Sequence, residues 1–148
     1  MSISTQINTT YGDMLMSVKV DWDTNVKDVI LYQFQGRWTW REFLVGFEQE
    51  LRMAQSLDGR PYYVIGDTTE GARLPGGAII SHVYSIFKRY PDNWRGTIIV
   101  SQNGFLRALY NIGARIHPDA ASGFKIIESI EDAYEDIRRN RQIHRQLT

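Results

Sequence analysis

The sequence predicts an α/β fold, with a mixed, mostly parallel sheet of about five strands and four helices. Three observations carry this. Short β-branched runs alternate with longer stretches of helical periodicity. Turn-forming residues separate almost every pair of them. The chain has 148 residues, of which 43% are hydrophobic and 23% charged, enough to bury a core without covalent staples.

The elements follow in order. Residues 1–13 are polar and aperiodic, and are expected to be a flexible arm preceding one domain over 14–148. Met14, Met16, Val18 and Val20 alternate with Leu15, Ser17 and Lys19, the period of a strand. A turn-rich break at Trp22-Asp23-Thr24-Asn25 leads to a second β-rich run, Val29 to Phe34, so the two should pair as an antiparallel hairpin.

Thr39 and Glu42 stand three apart, the spacing of a capping box, in which each side chain satisfies a backbone N–H of the first helical turn. Trp38 and Phe43 flank it at the spacing of a hydrophobic staple. Trp40, Phe43, Leu44, Phe47, Leu51 and Ala54 then give one apolar face, and Asp58-Gly59 supplies the stop.

Tyr62 to Ile65 reads as a third strand whose two tyrosines point to opposite faces, one of them outward. A long loop, Gly66 to Gly77, precedes a second helix carried by Ile79, Val83, Ile86, Phe87 and Tyr90 and ended by Pro91. Trp94 falls in the following surface loop and is the most exposed aromatic expected. Thr97 to Val100 is the fourth strand. Asn103 caps a third helix with Phe105, Leu106, Leu109, Ile112 and Ile116 inward, and Pro118 lies beyond its end. Phe124 to Ile127 is the last strand, and Ser129 caps a final helix with Ile130, Ala133 and Ile137 inward. Its acidic start and its arginines at 138, 139 and 141 complement the helix dipole. The order is β-β-α-β-α-β-α-β-α.

Composition excludes several chemistries. The net charge is zero and the basic residues are scattered, which argues against nucleic-acid binding. Cysteine is absent, so thiolate catalysis, disulfides and cysteine-ligated metals are out, and a reducing, cytoplasmic setting is expected. No apolar run is long enough for a membrane span, and the first residues lack the pattern of a signal peptide. His82, His117 and His144 make no ligand pair at helical spacing, and no metal or other cofactor is expected. Gly76-Gly77 lacks the Lys-Ser/Thr of a phosphate loop, and no G-x-S-x-G marks a nucleophile.

The element order, taken with Gly36-Arg37-Trp38-Thr39-Trp40, Val64-Ile65-Gly66-Asp67, Leu74-Pro75-Gly76-Gly77-Ala78 and Ile98-Ile99-Val100-Ser101 followed by Phe105-Leu106-Arg107-Ala108-Leu109, resembles STAS domains. The similarity is greatest to the SpoIIAA-like, or STAS/SEC14-like, bacterial proteins, and it covers roughly residues 14–140. It implies a non-enzymatic regulatory or scaffold domain that meets a protein partner through the loop and helix after the third strand. The SEC14-like relatives imply an alternative, a small apolar or lipid-like ligand held between helix and sheet near Leu74, Ile79 and Phe105. Phosphorylatable members of the family carry an Asp-Ser pair at the start of the second helix. Here that place reads Pro75-Gly76-Gly77, so the usual phosphoserine switch is not expected.

Strand ends on a parallel sheet gather functional loops. The candidate binding residues at these ends are Asp67, Thr68, Thr69 and Arg73 after the third strand and Ser101, Asn103 and Arg107 after the fourth, and the resemblance adds Gly76, Gly77 and Ser81 at the second helix. Two helix starts, at Gly77 and Asn103, would add a generic anion site, although short polar residues there more often serve turns. The two readings part on one feature. A ligand-binding protein needs an apolar cavity, whereas a partner-binding domain needs a filled core and an exposed recognition face. Homodimerisation through an exposed sheet edge is a further expectation. An enzyme would need ionisable groups converging near Asp67 and Arg107.

Overall fold

Five strands form one sheet in the order β1-β2-β3-β4-β5 in the computed structural model, which describes residues 17–75 and 79–147. The strands are β1 (Val18–Trp22), β2 (Val29–Arg37), β3 (Tyr62–Arg73), β4 (Trp94–Val100) and β5 (Phe124–Ile127). The helices are α1 (Trp40–Gln55), α2 (Ile79–Phe87), α3 (Gly104–Ile116), α4 (Pro118–Ala121) and α5 (Ile130–Leu147). β1 and β2 pair antiparallel, from Val18 opposite Phe34 to Trp22 opposite Ile30, and the other pairings are parallel. Met14 and Met16, expected in the first strand, lie outside the described residues.

Each parallel strand is laid beside its predecessor, always in the same direction across the sheet. Right-handed crossovers then place α1, α2 and α3 on one face. Alternate residues of each strand face them. Ile30, Tyr32, Phe34, Tyr62 and Val64 pack under the first helix with Trp38, Ala54 and Leu57. The intervening residues, Val29, Tyr63, Ile65, Ile98 and Val100, form a second core with Ala133 and Ile137 of α5. Both faces are thus covered, and this corrects the expectation that one of Tyr62 and Tyr63 looks outward. Both are buried.

The capping box is formed in full. Glu42 N–H donates to Thr39 Oγ1 and Thr39 N–H to Glu42 Oε1, each at 3.1 Å. The staple is formed too, with the Trp38 and Phe43 rings 6.2 Å apart. Leu44, however, is exposed, and Glu50 takes a place on the buried stripe. The chain leaves α1 through Asp58 and Gly59, whose φ angles of 51° and 86° are left-handed. At Gly46 the helix lies close to β1, and a Cβ there would come within 2.8 Å of Val20 Cγ2.

Three further expectations are corrected. Trp94 begins β4 instead of sitting in a loop. Its ring stacks on Tyr90 at 3.9 Å and packs against Phe124, and its Nε1–H donates to Thr97 Oγ1. Ile112 and Ile116 of α3 point to solvent, because only one side of this helix meets the sheet. Pro118 lies beyond the end of α3 as expected, but it opens the one-turn helix α4, which the expected four helices did not include, at a position where its missing N–H costs nothing. The last helix matches its expected start, since Asp132 N–H donates to Ser129 Oγ. It extends to Leu147, so its arginines at 138, 139 and 141 lie mid-helix. Arg141 stacks on Tyr63 and donates to Asp28 O.

Candidate functional site

The third strand is far longer than its sequence suggests, and the extra length builds the site. β4 ends at Val100, opposite Asp67. β3 runs on with β2 alone, through two register shifts, to Arg73 opposite Arg37. Gly71, at φ 73°, gives this overhang a left-handed residue. The stretch expected to be a loop is therefore an extended wall standing above the point where β4 turns away into α3.

Between that wall and the β4–α3 loop lies a cleft of about 390 Å³. Thr68, Thr69, Gly71 and Ala72 line one side, Ser101, Gln102 and Asn103 the other, and Trp38, Leu74 and Leu106 the floor. Four of the sequence-predicted residues, Thr68, Thr69, Ser101 and Asn103, meet here. Asp67 is buried beneath them, its Oδ1 accepting from Thr69 N–H at 2.9 Å and from Thr69 Oγ1–H at 2.6 Å. That pattern is an Asx-type turn, in which the carboxylate is committed to its own backbone. Arg73 and Ser81 are exposed and do not line the cleft. Arg107 is exposed as well, and its guanidinium donates to Ile126 O at 3.4 Å. Asp67 and Arg107 thus form no convergent acid–base pair with each other. Gly76 and Gly77 lie outside the described residues. Asn103 passes its carbonyl to the first turn of α3, accepting from Arg107 N–H.

Below the cleft, two apolar cavities lie between the helices and the sheet. One, of about 120 Å³, is enclosed by Phe34, Trp40, Phe43, Val64 and Ile86 among others. The second, of about 100 Å³, extends between α2 and α3 to Tyr84, Tyr110, Ala114 and His117. Ile79, Val83, Ile99, Leu106 and Phe124 are walls of both. Trp38, Thr68, Leu74 and Leu106 are shared by the larger cavity and the cleft. The cleft and the two cavities therefore abut, with these side chains as common walls, from the polar rim inward beneath α2.

The sequence reading missed a buried carboxyl bonded to one wall of this space, Tyr32. Glu50, fully buried on α1, accepts from the Tyr32 hydroxyl at 2.5 Å and from the Tyr62 hydroxyl at 2.8 Å. Burial pushes its carboxyl up to about 7, while the two tyrosine hydrogen bonds pull the other way. Tyr32 and Tyr62 are held above the ordinary phenol range, first by burial and then by the neighbouring carboxylate. Tyr32 is itself a cavity wall. A signal was present in the sequence, since Glu50 falls three residues after Phe47 and four before Ala54 on the apolar stripe.

Two of the three histidines pack against aromatic rings. His82 stacks on Trp40 at 4.6 Å, and His117 on Tyr84 at 3.8 Å. Among the described residues no group of three His, Asp or Glu side chains is placed to hold a metal ion. None of the described helices is long and apolar enough to cross a membrane. Comparison with protein-family models gives no match, and comparison with curated proteins gives none either.

Proposed function

We propose that this chain is a non-enzymatic binding domain whose ligand is a small apolar or amphipathic molecule held between α2 and the sheet. The observation that carries the reading is the pair of abutting apolar cavities beneath α2 and their common walls with the rim cleft. Close-packed interiors leave few voids, and apolar voids of ~150 Å³ stay dry and accept benzene. Cavities of 120 and 100 Å³ are in that range. The resemblance to STAS/SEC14-like proteins supports the same choice, and the five-stranded mixed sheet is in keeping with it.

The test uses toluene as probe. Toluene should raise the thermal midpoint of the wild-type chain, because a molecule bound only by the folded state stabilises it by mass action. Val83 borders both cavities, so Val83→Phe should fold and lose that shift. Equal shifts in the two proteins, or none in either, would remove the reading.

A second reading gives the loop and helix after β3 to a protein partner within a STAS-like regulatory role. The exposed positions of Arg73 and Ser81 beside the roof of the cavity favour it. The two readings are compatible, since a molecule bound under α2 touches the back of the surface that a partner would read.

A further inference from the structure

Resting on the ligand reading above, we propose that the natural occupant is an uncharged amphiphile. Its apolar end lies beneath α2, and a neutral head that both donates and accepts hydrogen bonds sits in the rim cleft.

Size comes first. Either cavity alone matches a single aromatic ring or a few methylenes, by the ~150 Å³ benchmark for benzene. A larger molecule must extend past Trp38, Thr68, Leu74 and Leu106 into the cleft. There its surroundings change from apolar to polar along its own length.

Charge decides the head. Among the described residues, the walls of the cleft contain no Lys, Arg, Asp or Glu. The titratable walls of the two cavities are Tyr32, Tyr90, Tyr84, Tyr110 and His117. The two arginines expected at the site are not walls of the cleft: Arg107 is bonded to Ile126 O, and Arg73 is exposed. The Asp67 carboxylate is occupied by Thr69. A carboxylate or phosphate head would leave water with no cationic side chain among the described walls of the cleft, and the start of α3 offers only backbone N–H groups, so that desolvation stays costly.

The hydroxyls specify the rest. Thr68 donates its hydroxyl proton to Val100 O at 2.7 Å, which leaves its oxygen as an acceptor. Buried Ser101 accepts from Asn103 N–H at 3.0 Å, which leaves its own proton to donate. One acceptor and one donor on facing walls suit an alcohol or a primary or secondary amide, each of which supplies both complements.

Toluene, 1-hexanol and sodium hexanoate at pH 8 are titrated separately into the whole chain, with tryptophan fluorescence and calorimetry as readouts. Trp38 borders both the cleft and the larger cavity, and Trp40 the cavity, so fluorescence reports both compartments. Hexanol should bind, and hexanoate should bind at least about tenfold more weakly, because its charge finds no partner. A Thr68→Val, Ser101→Ala double variant should weaken hexanol by about three- to tenfold, a hydrogen bond's typical worth, and leave toluene unchanged. Hexanoate binding as tightly as hexanol overturns the proposal without any variant having to fold. Hexanol unaffected by the double variant also overturns it. Toluene binding beside either result leaves the cavity reading standing, whereas failure of all three probes sinks both.

Discussion

Replacing Glu50 by Gln should abolish a pH dependence of stability that the wild-type chain carries. Burial raises the carboxyl to about 7 in the folded protein, from an ordinary value of 4.5 when unfolded. Between these values the folded state holds a proton that the unfolded state has released. Stability from this group is therefore fully present below pH 4.5 and is lost as pH rises towards and through 7. At ~1.4 kcal/mol for each tenfold change in proton affinity, the rise corresponds to about 3 kcal/mol, mostly lost between pH 5 and 7.5. Glutamine keeps the shape and can accept from one tyrosine hydroxyl while donating to the other oxygen, so the variant should fold with a constant offset. Urea unfolding of both proteins from pH 5 to 8.5 gives the measurement. Their difference cancels every titration common to the two chains. The wild-type curve should fall by about 3 kcal/mol relative to the variant as pH rises. Parallel curves would refute the argument, and so would a wild-type curve that rises relative to Glu50→Gln.

Two other stability outcomes follow from the packing. Gly46→Ala should cost about 1–3 kcal/mol in urea unfolding, because the new methyl meets Val20 Cγ2 at 2.8 Å, and Val20→Ala in the same chain should recover part of the loss. Thr39→Ala removes the side-chain half of the capping box and should cost about 1 kcal/mol by the same method.

The fold was largely legible because local rules and tertiary packing agree. Thr39 with Glu42 and Ser129 before its helix act as caps where the spacing placed them. Phe124–Ile127 is a strand with the expected bounds. Misreadings arose where a neighbour decided the outcome. Gly66 to Arg73 carries Gly, Asp and Thr, residues that signal a turn, yet pairing with β2 keeps it extended. Trp94 looked like a loop residue because Pro91, Asp92 and Asn93 precede it, but the rings of Tyr90 and Phe124 hold it. Tyr62 and Tyr63 could both be buried only because α5 covers the second face, a long-range fact that periodicity does not carry.

The candidate site was legible in part. Strand ends nominated Thr68, Thr69, Ser101 and Asn103, and these do surround one cleft. Arg73, Ser81 and Arg107 were nominated by position along the chain, and the direction of a side chain is not written there. The cavities were out of reach as well, since a void is a property of packing among Val83, Ile99, Leu106 and Phe124 jointly.

The lone helix on the second face has a consequence for the order of assembly. Three crossover helices are made in step with the strands they link, but α5 is synthesised after every strand is complete. Until Ala133 and Ile137 dock, Tyr63, Ile65, Ile98 and Val100 present a hydrophobic surface that no other described helix covers. That interval is when a nascent chain of this design is most open to chaperone capture or to sticking to another copy of itself.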